Sequence, residues 1–270
     1  MTPLLTKSGG MDIAILKNTA SVEIASQLLN QLKTPTMATS FVELATNPIH
    51  QNLTLVESVM IMASKELESR AEKRRERYLQ RSGLRDLSVW NQADITKAIY
   101  EKERNLKEVD VRLLLSCDWL NCARNILICG ATGTGKTWLA AVLGKQACIY
   151  GYQTQYYRYG QLLELLADAR QHLETATFRR NLNRSKLLII DDFGTSTISD
   201  DLASDLLTIL EEREGNSSVI ISSQLPFNEW HHFLGGSRNA DAIMDRLLNT
   251  SYKFELAGPS LRERLALNPS

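Results

Sequence analysis

The sequence predicts an α/β protein, in which helices cover both faces of a mostly parallel sheet, with a smaller all-helical region before it. From Asn125 onward, short apolar runs alternate with segments of helical periodicity, the pattern of repeated strand–helix units. Between residue 22 and about residue 100, apolar residues recur at helical spacing, and we find no strand pattern. We therefore expect a flexible leader at 1–21, a helical N-terminal domain at 22–103 and the sheet domain at 104–270.

In the helical region, the first apolar periodicity begins at Val22, and Pro35 is expected to interrupt it because proline lacks the backbone N–H that a helix needs. A second helix is predicted to begin near Thr54 and to continue into a charged tract at 65–85.

In the sheet domain, we predict strands at 126–129, 153–157, 187–190, 219–222 and 252–256. One helix is predicted after the glycine-rich loop that follows the first strand, and others at 161–170, 202–212 and 240–249.

The bulk composition is that of an ordinary globular protein, with 43% hydrophobic residues and a formal net charge of zero. No apolar run reaches the roughly 18 residues that a membrane span needs, and the N-terminus lacks the pattern of a signal peptide. We expect a cytoplasmic protein without a membrane partner. Its four cysteines are expected to be free thiols.

A glycine-rich loop, GATGTGKT, joins the first predicted strand to the helix that follows it. It matches the pattern G-x-x-x-x-G-K-[ST], whose backbone N–H groups point at phosphate oxygens. Lys136 can reach the β- and γ-phosphates of ATP, and the Thr137 hydroxyl can ligate Mg²⁺. The predicted nucleotide-binding residues are Gly130, Ala131, Thr132, Gly133, Thr134, Gly135, Lys136, Thr137 and Trp138.

A second apolar strand, at 187–190, ends in two acids. We predict that Asp191 binds Mg²⁺ and that Asp192 orients or deprotonates the attacking water. A capping or turn role for Asp192 is the alternative.

Two further residues complete the predicted catalytic set. Gln224 follows the strand at 219–222 and is the first candidate for a polar residue beside the γ-phosphate, with Ser223 second. Arg246 follows a helical segment and is predicted to reach the nucleotide of a neighbouring subunit. The alternative for Arg246 is an ion pair on the helix surface with Asp241 or Asp245.

Together these residues resemble the AAA+ ATPases, a P-loop class of the ASCE type. The stretches GATGTGKTWLAAVLG, LLIIDDFG, SSQLPFNEWHHFLG and DAIMDRLLN resemble the IstB/DnaC family of transposition helper ATPases and helicase loaders, and SSQLP-x-x-x-W-H favours the IstB branch. The resemblance implies an AAA+ sheet with a reduced or absent helical lid, which agrees with the few residues after Arg246. Arg262 is a possible substitute for the nucleotide-sensing arginine of the lid. His231 and His232 are expected to be packing or surface residues rather than metal ligands.

Two arginine clusters suggest a nucleic-acid partner. Residues 65–85 contain eight basic and four acidic side chains, and one helical face would carry Arg70, Arg74, Arg77, Arg81 and Arg85. Such a stripe can follow phosphates, but it can also be a solvated helix face or a surface for a partner protein. The second cluster lies inside the sheet domain and contains Arg170, Arg179, Arg180 and Arg184, where the resemblance implies a DNA channel.

The resemblance implies a Mg²⁺-dependent ATPase that assembles on duplex DNA as a ring or helical oligomer and delivers target DNA to a transposase. One alternative is a loader for a replicative helicase, with a preference for single-stranded DNA. Two others are a small-molecule kinase and an ATP-dependent scaffold that does not hydrolyse ATP.

Overall fold

The structure is a computed structural model that describes residues 10–87, 91, 104–249 and 251–261, with side chains from residue 20 onward. The chain divides into two compact units, Met1–Arg74 and Arg75–Ser270. The boundary lies within a long helix and earlier than residue 103, where the sequence pattern suggests a change of domain. A functional division at residue 103 stays a prediction.

The described residues of the first unit form helices joined by short turns. It contains α1 (Gly10–Gln31), α2 (Pro35–Thr46) and the start of α3 (Leu55–Arg81), which continues into the second unit. Because α1 begins at Gly10, residues 10–21 are helical rather than a loose leader, while residues 1–9 lie outside the described range. The helix break at Pro35 is confirmed, but a new helix starts there, since a proline at the first helical position loses no hydrogen bond.

Local hydrogen bonds explain where α3 starts and how it holds α2. Thr54 and Glu57 form a reciprocal capping box: the Glu57 carboxylate accepts from the Thr54 backbone N–H at 2.8 Å, and the Thr54 hydroxyl accepts from the Glu57 N–H at 3.3 Å. Further along, the buried carboxylate of Glu66 accepts from the Met37 N–H at 3.0 Å. That bond satisfies an otherwise unpaired donor in the first turn of α2.

The second unit contains a five-stranded parallel sheet in the order β2-β3-β4-β1-β5. Its strands are β1 (Asn125–Gly130), β2 (Thr154–Arg158), β3 (Leu187–Phe193), β4 (Ser218–Ser223) and β5 (Ser251–Leu256). All five predicted strands are therefore confirmed. Because β4 lies between β1 and β3, the segments that follow these three strands meet at one edge of the sheet.

Helices pack on both faces of the sheet, as predicted. One apolar core joins the sheet to α4 (Glu108–Leu115), α5 (Asp118–Asn121) and α6 (Lys136–Ile149). The other core contains side chains of α7 (Tyr159–Gln171), α8 (Thr175–Asn183), α9 (Asp200–Arg213), α10 (Trp230–Phe233) and α11 (Arg238–Leu248). Among the helices that the structure describes, none has the length and apolarity to cross a lipid bilayer.

Candidate functional site

The glycine-rich loop curls between β1 and α6, and its tight packing requires glycine. A Cβ atom at Gly130 would lie 2.2 Å from the backbone oxygen of Leu256. Gly133 has a φ of +83°, and a Cβ there would lie 2.3 Å from the Ser260 hydroxyl. Since any larger residue would displace these neighbours, the loop conformation depends on its glycines.

Lys136 is the first residue of α6 and is 6% exposed. Its ammonium group donates to the backbone oxygens of Gly130 at 2.8 Å and Ala131 at 2.9 Å. The positive charge is thereby held against the loop, next to the N-terminal end of a helix, where an anion is favoured.

Asp191 lies in β3, is 1% exposed, and accepts hydrogen bonds from both neighbouring strands. The hydroxyl of Tyr156 in β2 donates to its Oδ2 at 2.8 Å, and the hydroxyl of Ser222 in β4 donates to its Oδ1. Burial, and secondarily the nearby charge of Asp191, raise the pKa of Tyr156 well above its ordinary value, so the phenol stays protonated and remains a donor. Sequence reasoning missed both hydroxyl partners.

Asp192 occupies a strained backbone conformation at the end of the same strand. Its φ is +56°, and the pairing of β3 with β4 shifts between Ile190 and Phe193. The Thr195 hydroxyl donates to the Asp192 backbone oxygen at 2.8 Å, which supports the bend. A non-glycine residue in the left-handed region costs energy, and such strain concentrates at functional sites.

Gln224 follows β4 and contacts the phosphate loop directly. The Thr132 hydroxyl donates to its Oε1 at 2.8 Å. The other candidate, Ser223, is fully buried: its hydroxyl donates to the Phe193 backbone oxygen at 2.6 Å and accepts from the Leu225 N–H at 3.0 Å. The geometry therefore favours Gln224 as the polar residue beside the phosphates.

Arg246 lies near the C-terminal end of α11. It is close to the N-terminal end of β1, whereas the phosphate loop follows the C-terminal end of that strand. It lines a cleft of about 340 Å³ together with Asn125, the first residue of β1. At about 3.3 Å per residue, the two ends of this six-residue strand lie roughly 17 Å apart. Arg246 is therefore too far from the loop of its own chain to contact phosphates bound there.

The ion pairs of Arg246 differ from the predicted alternative. Its guanidinium donates to Glu211 of α9 at 2.7 Å and lies 3.6 Å from Glu214. Asp241 instead pairs with His231 at 2.9 Å, and Asp245 accepts from Asn249 at 2.5 Å. The prediction of Asp241 or Asp245 as partner was wrong, because the tertiary fold brings α9 alongside α11.

The segment after β5 returns to the phosphate loop and was not recognised in the sequence. The Leu261 N–H donates to the Gly133 oxygen at 2.9 Å. Arg104, only 3% exposed, joins the two segments: its guanidinium lies 3.4 Å from the Thr134 oxygen and 3.1 Å from the Pro259 oxygen. Nothing in the sequence near Arg104 signals this contact. Arg262 lies outside the described residues.

In the first cluster of predicted DNA contacts, the arginines differ in their surroundings. Arg70 donates to Glu66 at 2.8 Å and to the Lys33 backbone oxygen at 2.7 Å, so it helps to hold the N-terminal unit together. Arg74, Arg77 and Arg81 are exposed along α3. For these three, contact with DNA phosphates stays a prediction.

The second cluster divides in the same way. Arg170 pairs with Asp201 at 3.1 Å and Asp205 at 2.9 Å, and Arg179 lies 3.7 Å from Asp205. Because Asp205 is almost fully buried, these two arginines compensate its charge. Arg180 and Arg184 are exposed, and their contact with DNA stays a prediction.

The cysteine and histidine residues show no sign of a metal site. Cys117, Cys129 and Cys148 are buried free thiols, and burial raises the pKa of Cys148 to about 11. Within the described part of the chain, no cluster of three or more His, Cys, Asp or Glu side chains could hold a metal ion.

Proteins of known sequence that resemble this chain are named as ATP-binding proteins of insertion sequences. The family model described as IstB-like ATP binding protein matches residues 27–268. A protein of Sinorhizobium fredii that bears the name of an insertion sequence ATP-binding protein is 36% identical over 87% of this chain and 94% of its own length. A protein of Pseudomonas fluorescens, named for ATP binding and for the insertion sequence IS1162, is 34% identical over 73% of this chain and 84% of its own length.

Two solved structures share the fold. The crystal structure of the DnaC helicase loader has a TM-score of 0.55 at 16% identity, over 63% of this chain and 99% of that one. AMPPCP-bound DnaA from Aquifex aeolicus has a TM-score of 0.53 at 20% identity, over 65% of this chain and 55% of that one. These likenesses confirm the predicted AAA+ P-loop fold.

Proposed function

Because the chain belongs to the IstB-like ATP-binding protein family, we propose that it is a Mg²⁺-dependent ATPase that assists transposition. In this proposal the protein assembles on duplex DNA as an ATP-dependent oligomer, delivers target DNA to a transposase, and uses hydrolysis to regulate assembly. The names of its relatives, which join ATP binding to insertion sequences, support this context.

The residues at the C-terminal ends of β1, β3 and β4 have the chemistry that ATP hydrolysis needs. The loop backbone and Lys136 bind the phosphates, with Lys136 exchanging its loop carbonyl partners for phosphate oxygens. Asp192 accepts the proton of the attacking water or orients it, and Gln224 contacts the γ-phosphate beside Thr132. Trp138, in the first turn of α6, completes the predicted nucleotide-binding set.

The donor set at this edge fits magnesium, which prefers oxygen ligands. The carboxylate of Asp191 and the hydroxyl of Thr137 would hold the ion. When bound, Mg²⁺ neutralises charge on the β- and γ-phosphates.

A single relationship carries the proposal of assembly: the loop and Arg246 lie at opposite edges of one sheet. An arginine at the far edge can assist hydrolysis only in another copy of the chain. A head-to-tail contact between copies brings the two edges together, and repetition of that contact gives a ring or a helical filament.

DNA binding in this proposal is sequence-independent and relies on phosphate contacts. The exposed side chains Arg180 and Arg184, and the α3 stripe of Arg74, Arg77 and Arg81, are the proposed contacts.

The decisive experiment measures the molar mass of the protein with duplex DNA in ATP, in ADP and without nucleotide. We expect a DNA-bound oligomer only in the presence of ATP. The Lys136→Ala variant should form no such oligomer in any of the three conditions. An unchanged monomer in all three conditions would overturn the assembly proposal. Stronger stimulation of hydrolysis by single-stranded than by duplex DNA would instead favour a helicase loader.

A further inference from the structure

Three adjacent strands meet at one buried carboxylate. Asp191 is 1% exposed, and each of its oxygens accepts one hydroxyl: Tyr156 from β2 and Ser222 from β4. Both donors are themselves buried. The carboxylate is thus bonded on each side across the sheet.

These two bonds restrict the carboxylate without using up its capacity to accept. An ionised carboxylate offers about four lone-pair sites, and two hydroxyl donors occupy two of them. Rotation about the bond to the carboxylate carbon would break both hydrogen bonds at once. A buried charge that loses such bonds costs free energy, so one orientation is strongly favoured.

We propose that Tyr156 and Ser222 are positioning residues that fix the Asp191 carboxylate in the orientation in which it binds the magnesium of the nucleotide. This inference rests on the proposed function, because it requires Asp191 to be a metal ligand. The residues act through Asp191 and need not contact ATP themselves. Partners of this kind commonly change metal affinity by about 10- to 100-fold when they are removed.

The same sheet offers matched controls. Tyr159 follows β2 directly and is fully buried, yet its hydroxyl has no hydrogen-bond partner among the described residues. Ser218, at the other end of β4 from Ser222, is equally buried, and its hydroxyl also lacks a partner within that described set. Tyr159→Phe and Ser218→Ala therefore remove the same atoms without touching Asp191.

The test measures binding of a fluorescent ATP analogue, first in EDTA and then across a Mg²⁺ titration. For Tyr156→Phe and for Ser222→Ala we expect unchanged affinity in EDTA and about a tenfold rise in the Mg²⁺ concentration at half-maximal effect. Direct Mn²⁺ binding in the presence of nucleotide, followed by electron paramagnetic resonance, should weaken equally. Tyr159→Phe and Ser218→Ala should match the wild type.

Asp191→Asn separates the inference from the proposal beneath it. If Asp191→Asn shifts the Mg²⁺ titration but Tyr156→Phe and Ser222→Ala leave it unchanged, the positioning role is wrong and the metal site stands. If Asp191→Asn also leaves the titration unchanged, the metal assignment itself fails. If the control variants shift as far as Tyr156→Phe, the effect is one of general packing and the inference is overturned.

Discussion

The hydroxyl of Thr132, at the tip of the phosphate loop, donates a 2.8 Å hydrogen bond to Gln224 at the end of β4. These residues are 92 positions apart in the chain. The bond links the loop to the strand that separates β1 from β3, so a bound γ-phosphate would lie beside a side chain that is already in place.

The first prediction follows from this bond. We expect Gln224→Ala to bind ATP nearly as well as the wild type but to hydrolyse it about 100-fold more slowly, because a lost donor weakens the transition state more than the bound substrate. Thr132→Val removes the donor of the same hydrogen bond. It should slow hydrolysis less than Gln224→Ala does, since the Gln224 side chain remains. Steady-state kinetics will measure the hydrolysis rate of both variants, and a separate binding assay will measure their affinity for ATP. A large loss of binding in Gln224→Ala would contradict the assignment.

Asp192 is predicted to orient or deprotonate the attacking water, and not only to stabilise the turn at the end of β3. Asp192→Asn keeps the size and the tolerance of a left-handed conformation, so the fold and ATP binding should persist. Turnover should fall about 10²- to 10⁴-fold. Glu174→Gln, which changes an exposed acid in the same way, is the control and should leave turnover unchanged. Unchanged turnover and DNA assembly in Asp192→Asn would favour a scaffold that does not depend on hydrolysis.

Arg246 is predicted to act on the nucleotide of a neighbouring subunit, and mixing variants tests this directly. Arg246→Ala and Asp192→Asn should each lose most hydrolysis, the former by about 10³-fold or more. In an equimolar mixture, about a quarter of the interfaces pair an intact Asp192 with an intact Arg246, so activity should return to that fraction. If the mixture stays inactive although both variants assemble on DNA, the role across the interface is wrong.

The arginines of the sheet domain should separate into two classes. Arg180→Gln and Arg184→Gln should weaken DNA binding. Each should make the negative slope of log affinity against log salt concentration shallower by about 0.9, because each loses one phosphate contact. Arg170→Gln and Arg179→Gln should leave that slope unchanged and lower the melting temperature, since both pair with acids on α9. Fluorescence anisotropy at several salt concentrations, with thermal denaturation, distinguishes the classes. Equal slopes for all four variants would contradict the division.

Where the deciding information is local, the sequence predicts well. The glycines and the lysine of the phosphate loop occupy consecutive positions between an apolar strand and a helix, so their pattern identifies the loop. The acids at the end of β3 were recognisable for the same reason. Helices α2 and α8 were missed: Pro35 starts α2 as well as ending the periodicity before it, and α8 contains only two large apolar residues, Phe178 and Leu182.

The sequence by itself therefore determined the family, the strand–helix order and the residues of the phosphate loop. Only the tertiary structure decided which side chains support them. Tyr156 and Ser222 lie 35 and 31 positions from Asp191, and Arg104 lies 30 positions from Thr134. The tertiary structure also decided that Arg246 faces away from the phosphate loop of its own chain. Such contacts depend on strand order and helix packing, which bring distant positions together and leave no local pattern to read.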